Sequence, residues 1–320
     1  MNIGNDCIVS GIYNISPLHC GTGQTTGAVD LPIARDTSTG FPVLPATSLK
    51  GVARFFCDKN GMKKDIINEL FGRSVEEIDN DEKTGQSIEP ISLEAGALIF
   101  SEGKLLAYPV RSLNRPFFHV TCPLIMHRLE RDLAALDKVK RLPGSWLEGL
   151  EKIEQGNAYV CQKKHAGHPL VLEDLIYGPG EVIEFSPLQD LAQWLCGLLP
   201  EKDKNTRNVL KTGLVLIPDE DFMDLMQRII PVQPRIKLNE NKTSENLWYM
   251  EVLPSDCLFL AFITQRPGIG KQQENNISPV EKMKNSFGYL EKVQIGGNET
   301  VGHGFSYWTL FRKSAEEQSA

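Results

Sequence analysis

Between residues 16 and 54 the chain reads SPLHCGTGQTTGAVDLPIARDTSTGFPVLPATSLKGVAR, and most of that run fits neither a regular strand nor a regular helix. Before it, Cys7 to Ile15 alternates apolar and polar residues as a half-buried strand does. After it, Leu49, Val52, Ala53 and Phe56 recur at helical spacing. The run is therefore a long connection from a strand to a helix. Connections of such length inside compact domains are either functional or disordered. Leu31, Ile33, Phe41, Val43 and Leu44 supply apolar anchors, which argues for order.

A chain of 320 residues can bury a substantial core, as one large domain or two smaller ones. No apolar run is long enough to cross a bilayer, and the N-terminus lacks the basic, apolar and small-residue order of a signal peptide. A cytoplasmic protein with no membrane partner is expected. The cysteines Cys7, Cys20, Cys57, Cys122, Cys161, Cys196 and Cys257 are odd in number, and no two have zinc-knuckle spacing. They read as small core residues. His165 and His168 have no nearby Cys or carboxylate pattern to complete a metal set and read as a surface loop. The net charge of −7 argues against broad nonspecific nucleic-acid binding, which needs clustered Lys and Arg, but it allows one basic groove.

The helix near Leu49 carries Lys50 and Arg54 on one face, with Thr47 or Ser48 placed to cap it. A second helix is predicted over Met62 to Phe71. Residues 76–90 form a polar insertion. Strands are expected at Ala97 to Phe100 and Leu105 to Pro109, around a Glu102-Gly103 turn. A helix opens at Pro123, and Trp146 and Leu147 pack locally within a charged stretch. Short strands follow at Ala158 to Cys161 and Leu170 to Ile176. Ser186-Pro-Leu-Gln189 has the form of a capping box opening a helix to Leu199. Residues 201–208 read as a polar loop, Val215 to Ile217 as a strand and Asp219 to Ile230 as a helix. Arg235 to Leu238 and Leu247 to Leu253 make a β-hairpin with a polar tip. Cys257 to Thr264 is a buried strand, 266–280 a polar loop and Val280 to Leu290 an amphipathic stretch. Lys292 to Ile295 and Phe305 to Phe311 are strands around IGGNETVGHGF. This irregular alternation predicts an α+β fold, with strands near both termini as neighbours in one sheet.

Four features carry chemistry. Asp30 stands alone in a charge-free, Pro-braced segment; it reads equally as an Asx turn or as a carboxylate able to hold Mg²⁺ or take a proton. His19 precedes a Gly-Thr-Gly turn, and its role is open. Gly296, Gly297, Gly302 and Gly304 either cradle phosphate oxygens with bare amides or connect a hairpin. Lys50 and Arg54 at a helix start suit a phosphate, or form a solvated face.

Five blocks, LHCGTG, VDLPIARDTSTGFPVLPATSLKGVAR, YPVRSL with VTCPLIMHRLERDL, RIKLNENKTSENLWYMEVLP and QIGGNETVGHGF, run in order along nearly the whole chain. Together they resemble the RAMP superfamily of CRISPR proteins, most closely the repeated backbone subunit of the type III-B (Cmr) RNA-targeting effector. The resemblance implies an RRM-like (ferredoxin-like) palm with large insertions and a protruding β-hairpin thumb. It implies a single domain over 1–313, with insertions near 73–92, 200–210, 235–253 and 266–280, and a frayed tail at 314–320. Copies would stack along a guide RNA, beside other Cmr-type effector subunits, and cut a paired target RNA at regular intervals. Cleavage would be a metal-dependent attack by the 2′-hydroxyl; a non-catalytic guide scaffold is the alternative. The resemblance places the cleaving Asp at Asp30, also the Mg²⁺ (or other divalent cation) ligand, with His19 and Glu251 as further catalytic residues. Met250 stands where the family pattern has the first of two acids. Guide contacts would fall on Ser48, Lys50, Arg54, Arg111, Gly296, Gly297, Thr300, Gly302 and Gly304.

Overall fold

The computed structural model describes residues 7–73, 95–136, 141–150, 152–267 and 277–311. The alternating stretch at the start of the chain is strand β1 (Cys7–Asn14), buried from Ile8 onward. Its two edges pair antiparallel with β13 (Leu258–Gln265) and β15 (Phe305–Leu310). Strands from the two ends of the chain thus lie side by side, as expected. Beyond β15 comes β14 (Lys292–Gln294). Beyond β13 the sheet runs through β4 (Gly103–Arg111), β5 (Phe117–Thr121), β10 (Leu214–Leu216), β6 (Ala158–Val160) and β9 (Val182–Glu184). The short strands β2 (Val43–Leu44) and β3 (Leu98–Phe100) pair with β4 and β13. Among the described strand pairs of this sheet, β5–β10 and β6–β9 are parallel. Two small hairpins stand outside this sheet: β7 (Leu170–Leu172) with β8 (Leu175–Tyr177), and β11 (Val232–Leu238) with β12 (Ser244–Glu251).

The helices bury apolar residues at three- and four-residue spacing. In α1 (Ala46–Lys59) these are Leu49, Ala53 and Cys57; in α2 (Lys64–Phe71), Ile67, Leu70 and Phe71. In α3 (Pro123–Ala134) they are Ile125, Met126, Leu129 and Leu133, with Pro at the start as expected. The others are α4 (Gly144–Leu150), α5 (Pro187–Leu195), α6 (Lys204–Gly213), α7 (Asp219–Arg228) and α8 (Pro279–Ser286). All cysteines but Cys7 are buried and all are free thiols. The α+β expectation holds.

Several local expectations need correction. Helix α1 begins before Thr47 and Ser48, with extended Pro45 as its N-cap, so neither hydroxyl is placed to cap it. Ser186 is helical and makes no side-chain cap; Gln189 N bonds its carbonyl instead. The polar stretch expected as a loop at 201–208 contains the start of α6, capped where Asp203 accepts from Thr206 N at 3.0 Å. Its polarity conceals a helix that buries Leu210 and Gly213 while its other face meets solvent. Glu102-Gly103 is no hairpin turn. Both β3 and β4 run along β13, and Ser101 bridges them by accepting from Phe262 N through its hydroxyl. Leu170 to Ile176 is split by Glu173, whose φ of 57° turns the chain back. Strand β5 lies in an aromatic segment whose periodicity gave no strand signal. The expected insertion at 73–92, apart from Arg73, the middle of the 266–280 loop and the tail at 314–320 lie outside the described residues.

Candidate functional site

Strand β12 has two edges. One pairs with β11, setting Val232 against Glu251, Pro234 against Tyr249 and Arg235 against Trp248. An unpaired edge exposes amides and carbonyls that need partners. The long connection supplies them residue by residue. Leu18 and Leu253 exchange both backbone bonds, at 2.8 and 2.9 Å. His19 Nδ1 lies 2.7 Å from Glu251 O. Glu251 N donates to Leu31 O and Leu31 N to Tyr249 O, each at 3.0 Å. Tyr249 N then donates to Asp30 Oδ2 at 2.8 Å. The outward-facing groups of residues 249, 251 and 253 are therefore all taken by residues 18–31. His19 and Asp30 end up anchored two residues apart along one strand edge, roughly 7 Å by strand rise.

Each side chain on this edge has a defined chemical state or constraint. A ring nitrogen facing a carbonyl must carry a proton, so His19 Nδ1 donates and Nε2 is left for other use. Gly21 makes room for the ring, because a Cβ there would sit 2.6 Å from Nε2. Asp30 is half-buried. Its loop is closed by Thr25, which donates through N to Asp30 O and through Oγ1 to Val29 O, both at 2.9 Å. Among the described residues nothing bonds its second carboxylate oxygen. The Asx-turn alternative gives way to a tertiary anchor on β12, with one oxygen left open.

Glu251 is differently engaged. Its Oε1 pairs with Arg35 Nη2 and its Oε2 accepts from Ile33 N, both at 3.0 Å. Arg35 Nη1 also donates to Gly40 O and Met226 O, at 3.2 and 3.1 Å. Glu251 thus ties the segment after Asp30 to β12, and both its oxygens are occupied. Met250 is 1% exposed, with Asn298 Nδ2 3.2 Å from its sulfur. An acid at that position would be buried against an amide.

The Gly-rich loop closes over His19. Gly297 N donates to His19 O at 3.0 Å. Gly296 has a φ of 80°, and a Cβ there would come within 2.2 Å of that same oxygen, so only glycine fits. Gly304 N donates to Pro17 O at 2.8 Å. Thr300 is exposed on the loop's outer turn, and Gly302 is half-buried. The start of α1 joins the site through Ser48, which neighbours Cys20. Half-buried Lys50 points with Arg54; burial, then the Arg54 charge, lowers its pKa. Arg54 is tied to the end of α2, donating to Gly72 O and, at 3.3 Å, to Asn68 Oδ1. Arg111 holds Glu173 in a two-pronged pair, with Nη2 at 2.6 Å, on a different element. Of the residues expected from sequence, His19, Asp30, Glu251, Ser48, Gly296 and Gly297 converge, while Arg54 and Arg111 hold partners of their own.

Three residues around this site were not singled out from sequence: Arg35, Arg235 and His303. All lie inside the motif blocks, yet their partners are 68 to 216 residues away, which no periodicity registers. No three His, Cys, Asp or Glu side chains cluster as a metal set among the described residues. Mg²⁺ commonly binds one or two carboxylates together with substrate phosphates and water. Asp30 alone fits that mode. Glu251 joins it only by leaving Arg35.

The family model described as the RAMP superfamily matches residues 12–306. The chain belongs to the RAMP superfamily. This RAMP chain is 32% identical over 307 residues to the CRISPR system Cmr endoribonuclease Cmr4 of Pyrococcus furiosus, with 94% of each chain covered. The crystal structure of oligomeric Cmr4 from Pyrococcus furiosus superposes with a TM-score of 0.69 at 25% identity, covering 96% of this chain and 98% of that one. A chain of the type III-B Cmr-beta complex bound to cognate target RNA, seen by cryo-EM, also gives 0.69, covering 97% and 98%. At 19% identity that match speaks for the RAMP fold alone. Among the described residues no helix is long and apolar enough to cross a membrane.

Proposed function

We propose that this RAMP protein is a backbone subunit of a type III-B CRISPR effector, an endoribonuclease that stacks on guide RNA and cuts complementary target RNA through Asp30. The observation that carries this reading is the edge of β12, which holds Asp30 and His19 side by side with one carboxylate oxygen open. The chain's likeness to an endoribonuclease over 94% of its length supports it. Guide RNA, target RNA, further copies of this chain and other Cmr-type subunits are its partners.

The chemistry asks little of any one side chain. A 2′-oxygen attacks the adjacent phosphorus when the leaving 5′-oxygen lies opposite, so positioning supplies most of the rate. An A-form duplex is held by shape and backbone contacts, without base-specific readout. Asp30 then helps remove the 2′-proton with its open oxygen, or holds the metal. Mg²⁺ bound there supplies positive charge to the phosphate oxygens. His19 and Glu251 keep the geometry, the first by fixing β12 and the Gly-rich loop, the second by fixing Ile33. Lys50, the α1 start and exposed Thr300 face guide phosphates, while the Gly297, Gly302 and Gly304 amides are already taken by His19, Glu299 and Pro17. Arg54 and Arg111 reach RNA only by releasing the partners they hold in the free chain.

The test is a reconstituted complex with guide, complementary RNA and Mg²⁺ or chelator. Asp30→Asn keeps an acceptor for Tyr249 N and removes the charge, so it separates loop anchoring from chemistry. Cleavage should fall on the order of 100-fold or more, with target affinity within about twofold. Chelator should stop cutting and spare binding. Undiminished cutting by Asp30→Asn and Asp30→Ala would remove the catalytic assignment of Asp30, and a complex that binds target without cutting would leave a guide-binding scaffold.

A further inference from the structure

Arg235, beside the site, lacks the carboxylate partner that several other arginines hold among the described residues. Arg35, Arg111, Arg128, Arg141 and Arg228 each hold a carboxylate. Arg235 is half-buried and holds none among the described residues. Its Nη2 meets a neutral acceptor, His303 Nε2, at 3.1 Å, and its Nε is buried with no acceptor. Its Nη1 has no partner among the described residues. A guanidinium withdrawn from water without a counter-ion is costly, and an arriving anion relieves that cost.

His303 is shaped to present this cation. Because a guanidinium only donates, His303 Nε2 must accept, which leaves the proton on Nδ1. The residue is 7% exposed, and that Nδ1 is buried without a partner. Burial, then Arg235, then His19 lower its pKa, so the ring stays a neutral acceptor. Arg235 sits opposite Trp248, one residue from Tyr249, whose amide holds Asp30 on the other edge of β12. Its backbone and the Asp30 loop are therefore two interstrand spacings apart, about 10 Å, with β12 between them, so a phosphodiester reaching both would lie across the face of β12. Arg235 reaches His303 in the Gly-rich loop that closes over His19, and His19 and the Asp30 carboxylate share the edge of β12 away from β11.

Resting on the cleavage reading, we propose that Arg235 is a catalytic residue that contacts the non-bridging oxygens of the scissile target phosphate, with His303 as its positioning residue. In the step concerned the bond from the 2′-oxygen to phosphorus forms as the bond from phosphorus to the 5′-oxygen breaks. The 2′-hydroxyl gives up its proton and the 5′-oxygen takes one up, leaving a 2′,3′-cyclic phosphate and a 5′-hydroxyl. Nothing is oxidised or reduced. Negative charge on the non-bridging oxygens grows in the five-coordinate transition state, where a preset guanidinium acts without reorganising. The planar fork of arginine matches two phosphate oxygens better than an ammonium does.

The experiment measures single-turnover cleavage at saturating target, and target Kd separately, in assembled complexes. Arg235→Gln should slow cleavage on the order of 100-fold while Kd moves within about threefold. Arg235→Lys should recover part of the rate. His303→Gln, which keeps an acceptor, should retain more of the rate than His303→Leu, which should fall toward Arg235→Gln. Wild-type cleavage by Arg235→Gln, or a loss accounted for by target occupancy, overturns the proposal. If Arg235→Gln does not assemble, His303→Leu decides, and an undiminished rate overturns it. A wild-type complex that binds target and never cuts overturns the cleavage reading itself, a failure distinct from an inert Arg235 in a cutting complex.

Discussion

The Glu251 carboxylate is 14% exposed and its partner Arg35 26%, so removing either leaves a charge that water reaches poorly. We expect Glu251→Gln and Arg35→Met each to cost about 1–3 kcal/mol of stability. The double variant should cost less than their sum, by about 1 kcal/mol in denaturant unfolding, because the two share one contact. Strict additivity would show that the pair does not couple. Cleavage by Glu251→Gln should drop less than by Asp30→Asn, since Gln still accepts from Ile33 N. Glu251 was legible in the sequence as an acid within a motif. That it holds Ile33 and Arg35 was not, because those partners lie 218 and 216 residues away.

At the scale of elements, the start of α1 and the Gly-rich loop meet at His19 and Cys20, Ser48 neighbouring Cys20 and Gly297 N donating to His19 O. Lys50 makes no ion pair among the described residues and sits half-buried beside Arg54, an arrangement that a phosphate stabilises. Lys50→Ala should weaken guide association and reduce the slope of log K against log salt by about 0.7, the value for one phosphate contact on a single strand. Titration of guide binding at several salt concentrations reads this, and an unchanged slope removes Lys50 from the guide interface. Most elements were legible, because α1 and α3 bury residues at helical spacing and β13 is a continuous apolar run, while β1, read as half-buried, is buried on both faces between β13 and β15. Helix α6 was not, since KNTRNVLKTG buries only Leu210 and Gly213 against the core. The β3–β4 step was misread because a hairpin turn and a break along one partner strand look alike in sequence.

For the whole molecule, a fully buried histidine sets an acid limit. His119 Nε2 donates to Asp256 O at 3.1 Å, between the rings of Tyr13 and Phe117, and its Nδ1 has no partner. Burial above all lowers its pKa from 6.5 to about 4, against the opposing effect of the Asp256 contact. The unfolded chain therefore takes up a proton before the folded one does. The stability this group contributes is complete above pH 6.5 and is lost as pH falls toward 4, by up to about 3 kcal/mol. Denaturant melts of wild type and His119→Gln across that window check it: their difference should shrink toward acid, and a constant difference would contradict the buried neutral ring. The order of residues along the chain determined the α+β class, the RAMP family and the identity of the acid at position 30, because periodicity and motif order are local and survive in one dimension. Only the tertiary structure decided that Asp30 hangs on Tyr249, 219 residues away, that Glu251 is spent on Arg35, and that Arg235 has no carboxylate among the described residues. Those outcomes depend on which backbone edge is left open once the strands have paired, and that is settled by packing in three dimensions.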